Sequence, residues 1–104
     1  MNLIKTPISD LLIFEPTVFG DSRGFFMESF NQKTFQHLTG LEVTFVQDNH
    51  SISYKNVIRG LHYQWDAPMG KLVRVSYGKI LDVIVDIRRN SNNFGKVYSY
   101  LLSA

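Results

Sequence analysis

Short apolar runs, each ended by Gly, Asn, Asp or Pro, recur along the whole chain and constrain its fold more than any other feature. Such runs, bounded by turn residues, are typical of β-strands. The predicted strands cover residues 11–14, 25–30, 43–47, 57–64, 72–77, 79–87 and 96–102. One helix is predicted from Asn31 to Thr39, with Asn31 as its cap and Gly40 as its terminator. The pattern predicts an all-β protein, an antiparallel sandwich or barrel, with one short helix near the N-terminus.

The second half of the chain carries the clearest alternation. Gly78 separates the runs 72–77 and 79–87, which predicts a hairpin between them. In the second run one face is wholly apolar, and the other sets Asp82 and Asp86 among isoleucines. A carboxylate on an apolar face either points into a polar cavity or needs a partner.

Composition limits the possible functions. With 104 residues, the chain is expected to form a single domain over residues 1–104. Eleven basic and nine acidic residues give a net charge of +2, too balanced for a nucleic-acid-binding protein. The absence of cysteine excludes disulfides, zinc–thiolate sites and thiol nucleophiles. No secretory signal or membrane-spanning run is present, so a cytoplasmic protein that does not bind membranes is expected.

Arg59 and His62 lie close together in the otherwise apolar run 57–64. A histidine exchanges protons near neutral pH, and an arginine fork binds phosphate or carboxylate. The alternative is a buried histidine with satisfied hydrogen bonds. Strict alternation would put the two side chains on opposite faces, so we expect a bulge at Gly60 that turns both into one cavity.

Lys71 and Asp82 follow on the next two predicted strands. A lysine there can stabilise negative charge developing on a substrate oxygen, although a solvated lysine at a strand end is the simpler interpretation. Asp82 is expected to pair with His62 or Lys71, orienting the ring in the first case. The three histidines are too scattered for a metal site, so none is predicted.

A second group of candidates lies in the first half. Phe26 can stack on a nucleobase while Arg23 and Glu28 read its edge, although core packing of the ring is an alternative. Gln47 and Asn49, two residues apart, can present their amides on one side.

The chain resembles the dTDP-4-dehydrorhamnose 3,5-epimerase family over essentially its whole length. The opening motif is Val-Phe-Gly-Asp-Ser-Arg-Gly-Phe-Phe-Met-Glu-Ser-Phe, and a later one is Val-Ile-Arg-Gly-Leu-His-Tyr-Gln. The matching segments are 18–30, 45–51, 57–64, 70–75, 82–89, 93–96 and 102–104. The resemblance implies a cupin-type jelly-roll β-sandwich that uses neither metal nor cofactor. It also implies a homodimer in which N-terminal segments reach across to the partner.

The implied reaction inverts C3 and C5 of a dTDP-4-keto-6-deoxyhexose, on the route to dTDP-L-rhamnose. Proton removal beside the 4-keto group gives an enolate, which is reprotonated from the opposite face. By resemblance, His62 is the general base, Lys71 steadies the enolate oxygen and Asp82 belongs to the same catalytic cluster. The residues implied to bind the nucleotide are Arg23, Phe26, Glu28, Gln47, Asn49 and Arg59, with Arg59 near the phosphates.

Two departures from the family pattern leave alternatives open. Residues 65–69 differ from the common motif. The family also continues beyond the position of Ala104 with a tyrosine general acid, a second aspartate and further strands, so an incomplete jelly roll is expected. The alternatives are a related dTDP-sugar 3- or 5-epimerase, a 3,4-ketoisomerase, or a truncated dTDP-sugar-binding protein without catalysis.

Overall fold

The computed structural model describes all residues, 1–104, as six strands and one helix. The elements in chain order are β1 Asn2–Lys5, β2 Leu12–Glu15, β3 Val18–Asp21, β4 Gly24–Met27, α1 Gln32–Thr39, β5 Lys79–Val85 and β6 Val97–Ser103. Consecutive strands pair antiparallel as β1–β2, β3–β4 and β5–β6, with no closed barrel. The prediction of a mostly β chain with one short helix near the N-terminus is confirmed. The structure contains no helix with the length and apolar character that crossing a membrane requires.

The helix begins and ends where its capping residues predict. Oδ1 of Asn31 accepts hydrogen bonds from the backbone N–H groups of Lys33 at 3.0 Å and Thr34 at 3.1 Å. At the other end, Gly40 adopts a φ of 71°, and its N–H donates to the carbonyl of Gln36 at 2.8 Å. Both ends of α1 therefore have partners for backbone groups that a helix leaves unpaired.

Four phenylalanines pack α1 against the segments on either side of it. Phe35 of α1 is buried, and its ring centroid lies 5.4 Å from Phe14, 6.0 Å from Phe30 and 5.5 Å from Phe45. Ring pairs at these separations add about 0.5–1.5 kcal/mol each beyond the apolar area they bury. The helix thus joins β2 to the two segments that flank it.

A polar cluster fastens the turn between β1 and β2 to the end of β5. We call the residues Ser9, Asp10, Asp86, Arg88, Ser91 and Asn93 the Asp86 cluster. Arg88 reaches Asp10 Oδ2 at 2.7 Å and the carbonyl of Ser9 at 2.9 Å. Asn93 Oδ1 accepts from the N–H of Ser9 at 2.9 Å. Residues more than 75 positions apart are joined by these bonds.

The hairpin predicted around Gly78 is wrong. β5 pairs with β6, from Lys79 opposite Ser103 to Val85 opposite Val97, and residues 72–77 form no strand. The N–H of Gly95 donates to the carbonyl of Asp86 at 2.7 Å and so continues the β5–β6 pairing into their connection. Alternation identifies a face of a strand but not the partner of that strand.

Residues 41–77 contain no regular strand, so the strands predicted at 43–47 and 57–64 are also wrong. Their apolar side chains are largely exposed, Ile58 and Val46 among them. β-propensity describes side chains that fit a half-buried sheet, and a ladder forms only where a second strand supplies the hydrogen bonds. No neighbouring strand does so for this segment.

Candidate functional site

The β3–β4 hairpin presents the first predicted site residues at the surface. Phe19 pairs with Phe26 and Asp21 with Gly24, which leaves Ser22 and Arg23 as a two-residue turn. Gly24 has a φ of 131°, a conformation that side chains rarely adopt. The Phe26 ring is 71% exposed, so in this structure it is not packed into the core.

Asp21 holds the guanidinium of Arg23 from two residues away. Arg23 Nη2 donates to Oδ2 at 2.6 Å, and Nε lies 3.2 Å from Oδ2 and 3.3 Å from Oδ1. The backbone N–H of Arg23 also donates to Oδ1, at 2.8 Å. The hydrogen bonds from Arg23 lower the pKa of Asp21, and the carboxylate raises the pKa of Arg23. Sequence reasoning did not single out Asp21, although its spacing from Arg23 was a usable signal.

Glu28 lies directly after β4 and contacts the start of the helix. Its Oε2 accepts a hydrogen bond from Nδ2 of Asn31 at 3.0 Å. Asn31 uses its other side-chain atom, Oδ1, to cap α1. One amide therefore joins a predicted nucleotide-binding carboxylate to the helix N-terminus.

Gln47 and Asn49 contact each other. Nε2 of Gln47 donates to Oδ1 of Asn49 at 3.1 Å, so the two amides lie on one side of the segment. Both residues are exposed, in backbone that forms no ladder.

The run that contains Arg59 and His62 is exposed, and it lacks the bulge we expected. A bulge is an extra residue within a ladder, and residues 57–64 form no ladder. Gly60 instead has a φ of 117°, and a Cβ added there would lie 3.6 Å from Nδ1 of His62. Nε of Arg59 donates to Oγ of Ser53 at 2.8 Å.

Asp82 is the one predicted catalytic residue on a regular strand. It lies half-buried on β5, opposite Tyr100 of β6. Lys71 and His62 are exposed, and no hydrogen bond or ion pair joins either of them to Asp82. The expected pairing of Asp82 with His62 or Lys71 is therefore not formed in this structure.

A cleft of about 350 Å³ lies beside the β3–β4 hairpin. Its lining includes Phe25, Phe26 and Met27 of β4 together with Arg74 and Ser76. An aromatic ring beside a guanidinium suits a flat, anionic ligand, because the ring can stack and the cation can pair with charge. Sequence reasoning missed Arg74, a basic residue within the apolar run 72–77.

No group of three or more His, Asp or Glu side chains in the structure is arranged to hold a metal ion. The three histidines lie on α1, near the end of the 43–50 segment and in the 57–64 run.

Sequence comparison places this arrangement among known proteins. The family model described as dTDP-4-dehydrorhamnose 3,5-epimerase matches residues 5–104. An enzyme of that name from Shigella flexneri is 62% identical over all of this chain and 58% of its own length. One from Methanothermobacter thermautotrophicus is 55% identical over 89% of this chain and half of its own length. The chain thus spans a little over half the length of the curated relatives it matches.

Solved structures match the fold closely. The dTDP-6-deoxy-D-glucose-3,5-epimerase of Legionella pneumophila, in complex with dTDP-4-keto-L-rhamnose, is 51% identical with a TM-score of 0.92. That match covers 98% of this chain and 54% of the other. A Bacillus anthracis epimerase with TDP and pyrophosphate bound is 44% identical with a TM-score of 0.91, and the match covers 98% of this chain and 59% of the other. The cupin-type fold is confirmed by these matches, and the chain belongs to the dTDP-4-dehydrorhamnose 3,5-epimerase family.

Proposed function

We propose that this chain supplies the nucleotide-sugar site and the catalytic base of a dTDP-4-dehydrorhamnose 3,5-epimerase. The observation that carries the proposal is the match to the Legionella pneumophila enzyme, whose structure holds dTDP-4-keto-L-rhamnose. The match has 51% identity and extends over 98% of this chain, which supports the proposal for the chain as a whole.

The proposed chemistry is two successive proton exchanges beside a ketone. His62 removes the proton from C5 or C3 of the dTDP-4-keto-6-deoxyhexose, and the electron pair moves into the C4 carbonyl as an enolate. The ammonium of Lys71 lies near the enolate oxygen and stabilises its charge. Asp82 contributes a carboxylate to the same cluster. A proton delivered from solvent to the opposite face inverts the carbon, the proton held by His62 passes to solvent, and no cofactor or metal takes part.

The nucleotide binds through the second group of residues. The exposed ring of Phe26 stacks on the thymine base, and Glu28, Gln47 and Asn49 offer polar atoms at its rim. Arg59 binds the diphosphate, and Arg23 binds the nucleotide through its guanidinium. In Arg59 only Nε donates to protein, so both terminal nitrogens are available to phosphate oxygens.

We also propose that the protein works as a homodimer in the cytoplasm. The large exposed apolar side chains of the β3–β4 hairpin support the dimer, because an apolar patch of this kind marks an interaction site. The absence of cysteine from the sequence fits a reducing compartment. Sedimentation velocity at several protein concentrations measures the oligomeric state.

Deuterium incorporation from D₂O into the dTDP-4-keto-6-deoxyhexose tests the function. We expect incorporation at both C3 and C5, observed by NMR. His62→Ala should lower the rate by about 10²–10⁴-fold, the usual contribution of a general base. His50→Ala is the matched control, since it removes another exposed histidine that has no assigned role, and should leave the rate unchanged.

Each other outcome selects an alternative. Incorporation at one carbon alone would indicate a 3- or 5-epimerase, and keto migration from C4 to C3 would indicate a ketoisomerase. Binding of dTDP without any incorporation would favour the non-catalytic binding protein. A protein that binds no dTDP would contradict the proposal altogether.

A further inference from the structure

The sequence Asp-x-Arg occurs twice in this chain, at residues 21–23 and 86–88, with the same local geometry. In both, the backbone N–H of the arginine donates to Oδ1 of the aspartate, at 2.8 Å in the first and 3.0 Å in the second. In both, Nη2 of the arginine donates to Oδ2, at 2.6 Å and 2.8 Å. In both, Nε also contacts the carboxylate. The aspartate thus binds the edge of the guanidinium formed by Nε and Nη2. It thereby fixes the direction in which the outer edge, formed by Nη1 and Nη2, points.

In the second copy, that other edge binds an anion. Nη1 of Arg88 donates to the carboxylate of Asp10 at 2.7 Å, and Nη2 donates to the carbonyl of Ser9 at 2.9 Å. The protein itself therefore shows what an arginine held in this way can do. It pairs with its neighbouring aspartate and accepts a second, more distant anion on its outer edge at the same time.

In the first copy, the outer edge has no protein partner. Every side-chain hydrogen bond of Arg23 goes to Asp21, and none involves Nη1. The Arg23 side chain is 88% exposed at the tip of the β3–β4 hairpin. The rings of Phe25 and Phe26 follow directly on β4 and line the cleft beside it. The position that Asp10 occupies in the second copy is open to solvent in the first.

We propose that Asp21 is a positioning residue that orients Arg23 so that its outer edge, Nη1 and the free N–H of Nη2, binds a phosphate of the nucleotide. This inference rests on the proposed function, which assigns Arg23 to the nucleotide. A free arginine side chain loses much rotamer freedom when it binds a ligand, and holding it in place beforehand removes part of that cost.

The negative charge of Asp21 does not cancel this gain. The carboxylate lies against the inner edge of the guanidinium, so the guanidinium separates it from a phosphate on the outer edge. At an exposed site the effective dielectric constant is high, which weakens the repulsion between the two anions. In the Asp86 cluster, Arg88 likewise lies between two carboxylates, Asp86 on one edge and Asp10 on the other.

The experiment is a double-mutant cycle read by calorimetric binding of dTDP and of thymidine. Asp21→Asn keeps an oxygen that can accept from the backbone N–H of Arg23, and it removes the ion pair with the guanidinium. We expect it to weaken dTDP binding by about 3–10-fold and to leave thymidine binding unchanged, since thymidine has no phosphate. Arg23→Gln should weaken dTDP binding at least as much. Added to Arg23→Gln, Asp21→Asn should have no further effect, because the side chain it positions is gone.

Three results would overturn the inference. Equal dTDP affinity in the Asp21→Asn variant and the unsubstituted protein would show that the ion pair is irrelevant, and tighter binding would show that Asp21 competes with the ligand. Additive losses in the double variant would show that Asp21 acts independently of Arg23. These three leave the proposed function intact, whereas failure of the unsubstituted protein to bind dTDP would overturn both. Partial recovery of affinity in Asp21→Glu would support positioning by charge.

Discussion

The two Asp-x-Arg sequences form the same hydrogen bonds and lie in opposite surroundings. The carboxylate of Asp86 is 2% exposed, and that of Asp21 is 50% exposed. Arg88 is drawn into the Asp86 cluster by partners from the far end of the chain, and Arg23 meets only its neighbour. Local geometry alone therefore does not decide whether such an arginine stabilises the fold or remains available to a ligand. The role of the arginine depends on whether residues from distant parts of the chain contact it.

The pKa shifts of the two aspartates differ in line with their burial. Arg88 and then Ser91 lower the pKa of Asp86 far below its ordinary range, and Asp86 and Asp10 raise the pKa of Arg88. At Asp21 the pKa is also lowered, but Arg23 is the sole source. We expect the first pair to contribute to stability and the second to contribute almost none, since exposed ion pairs are worth little.

Removing the buried carboxylate should have the largest effect. Asp86→Ala leaves the guanidinium of Arg88 without its main partner, and Arg88 is one of the residues that join the β1–β2 turn to the end of β5. We expect the midpoint of thermal unfolding to fall by roughly 10 °C or more. Asp21→Ala, which removes the same side chain at the exposed site, should lower it by no more than about 2 °C. Circular dichroism of both variants measures the difference, and equal shifts would show that burial of the carboxylate does not determine its contribution to stability.

Acid should reduce the difference in stability between the unsubstituted protein and the Asp86→Asn variant. Because folding lowers the pKa of Asp86, its contribution to stability is complete above the ordinary aspartate pKa of 3.8. It is lost progressively as the pH falls below that value toward the lowered pKa. Urea midpoints measured at pH 5, 4, 3 and 2 should therefore converge for the two proteins. A difference in urea midpoint that stays constant down to pH 2 would show that the carboxylate does not stabilise the fold through its charge.

Ser91→Ala should have a smaller effect on the same cluster. Oγ of Ser91 donates to Asp86 Oδ2 at 2.6 Å and accepts from the N–H of Asn93 at 3.0 Å. Both bonds are lost in the variant while the ion pair remains. We expect a thermal midpoint about 5 °C lower, measured as above. Ser22→Ala, in the turn of the exposed copy, is the matched control and should leave the midpoint unchanged.

Asp10→Asn should have the smallest effect. Its side chain is 79% exposed, and the asparagine keeps an oxygen that can accept from Nη1 of Arg88. A decrease of about 2 °C in the thermal midpoint is expected, as for other exposed ion pairs. A decrease as large as that of Asp86→Ala would mean that the contact between distant segments, rather than the buried carboxylate, dominates the cluster.

The sequence predicted those parts of the fold that depend on neighbouring residues. Asn31 and Gly40 bound the helix because capping uses side chains and dihedral angles within a few positions. Both ends of α1 were therefore predicted correctly. The pairing of β5 with β6 was not, because the alternation in residues 72–77 is as regular as that in β6 and names no partner.

The candidate site shows the same division. Residue chemistry and family resemblance predicted catalytic roles for His62, Lys71 and Asp82, but whether their side chains meet depends on how distant segments approach. The pairing of Asp82 with His62 or Lys71 was expected and is not formed in this structure. Arg74 was overlooked because it gains its meaning from a spatial neighbour, the Phe26 ring, whereas the spacing of Asp21 from Arg23 was visible in the sequence.

The amide of Asn31 connects the proposed nucleotide-binding residue Glu28 to the start of α1. Its oxygen caps α1, and its nitrogen holds the carboxylate of Glu28. A nucleotide bound to Glu28 would compete with its hydrogen bond to Asn31, and loss of that bond would free the capping side chain and let the first turn of α1 open more readily. Amide hydrogen exchange at Lys33 and Thr34 then becomes an internal gauge of nucleotide binding, readable without any label on the ligand.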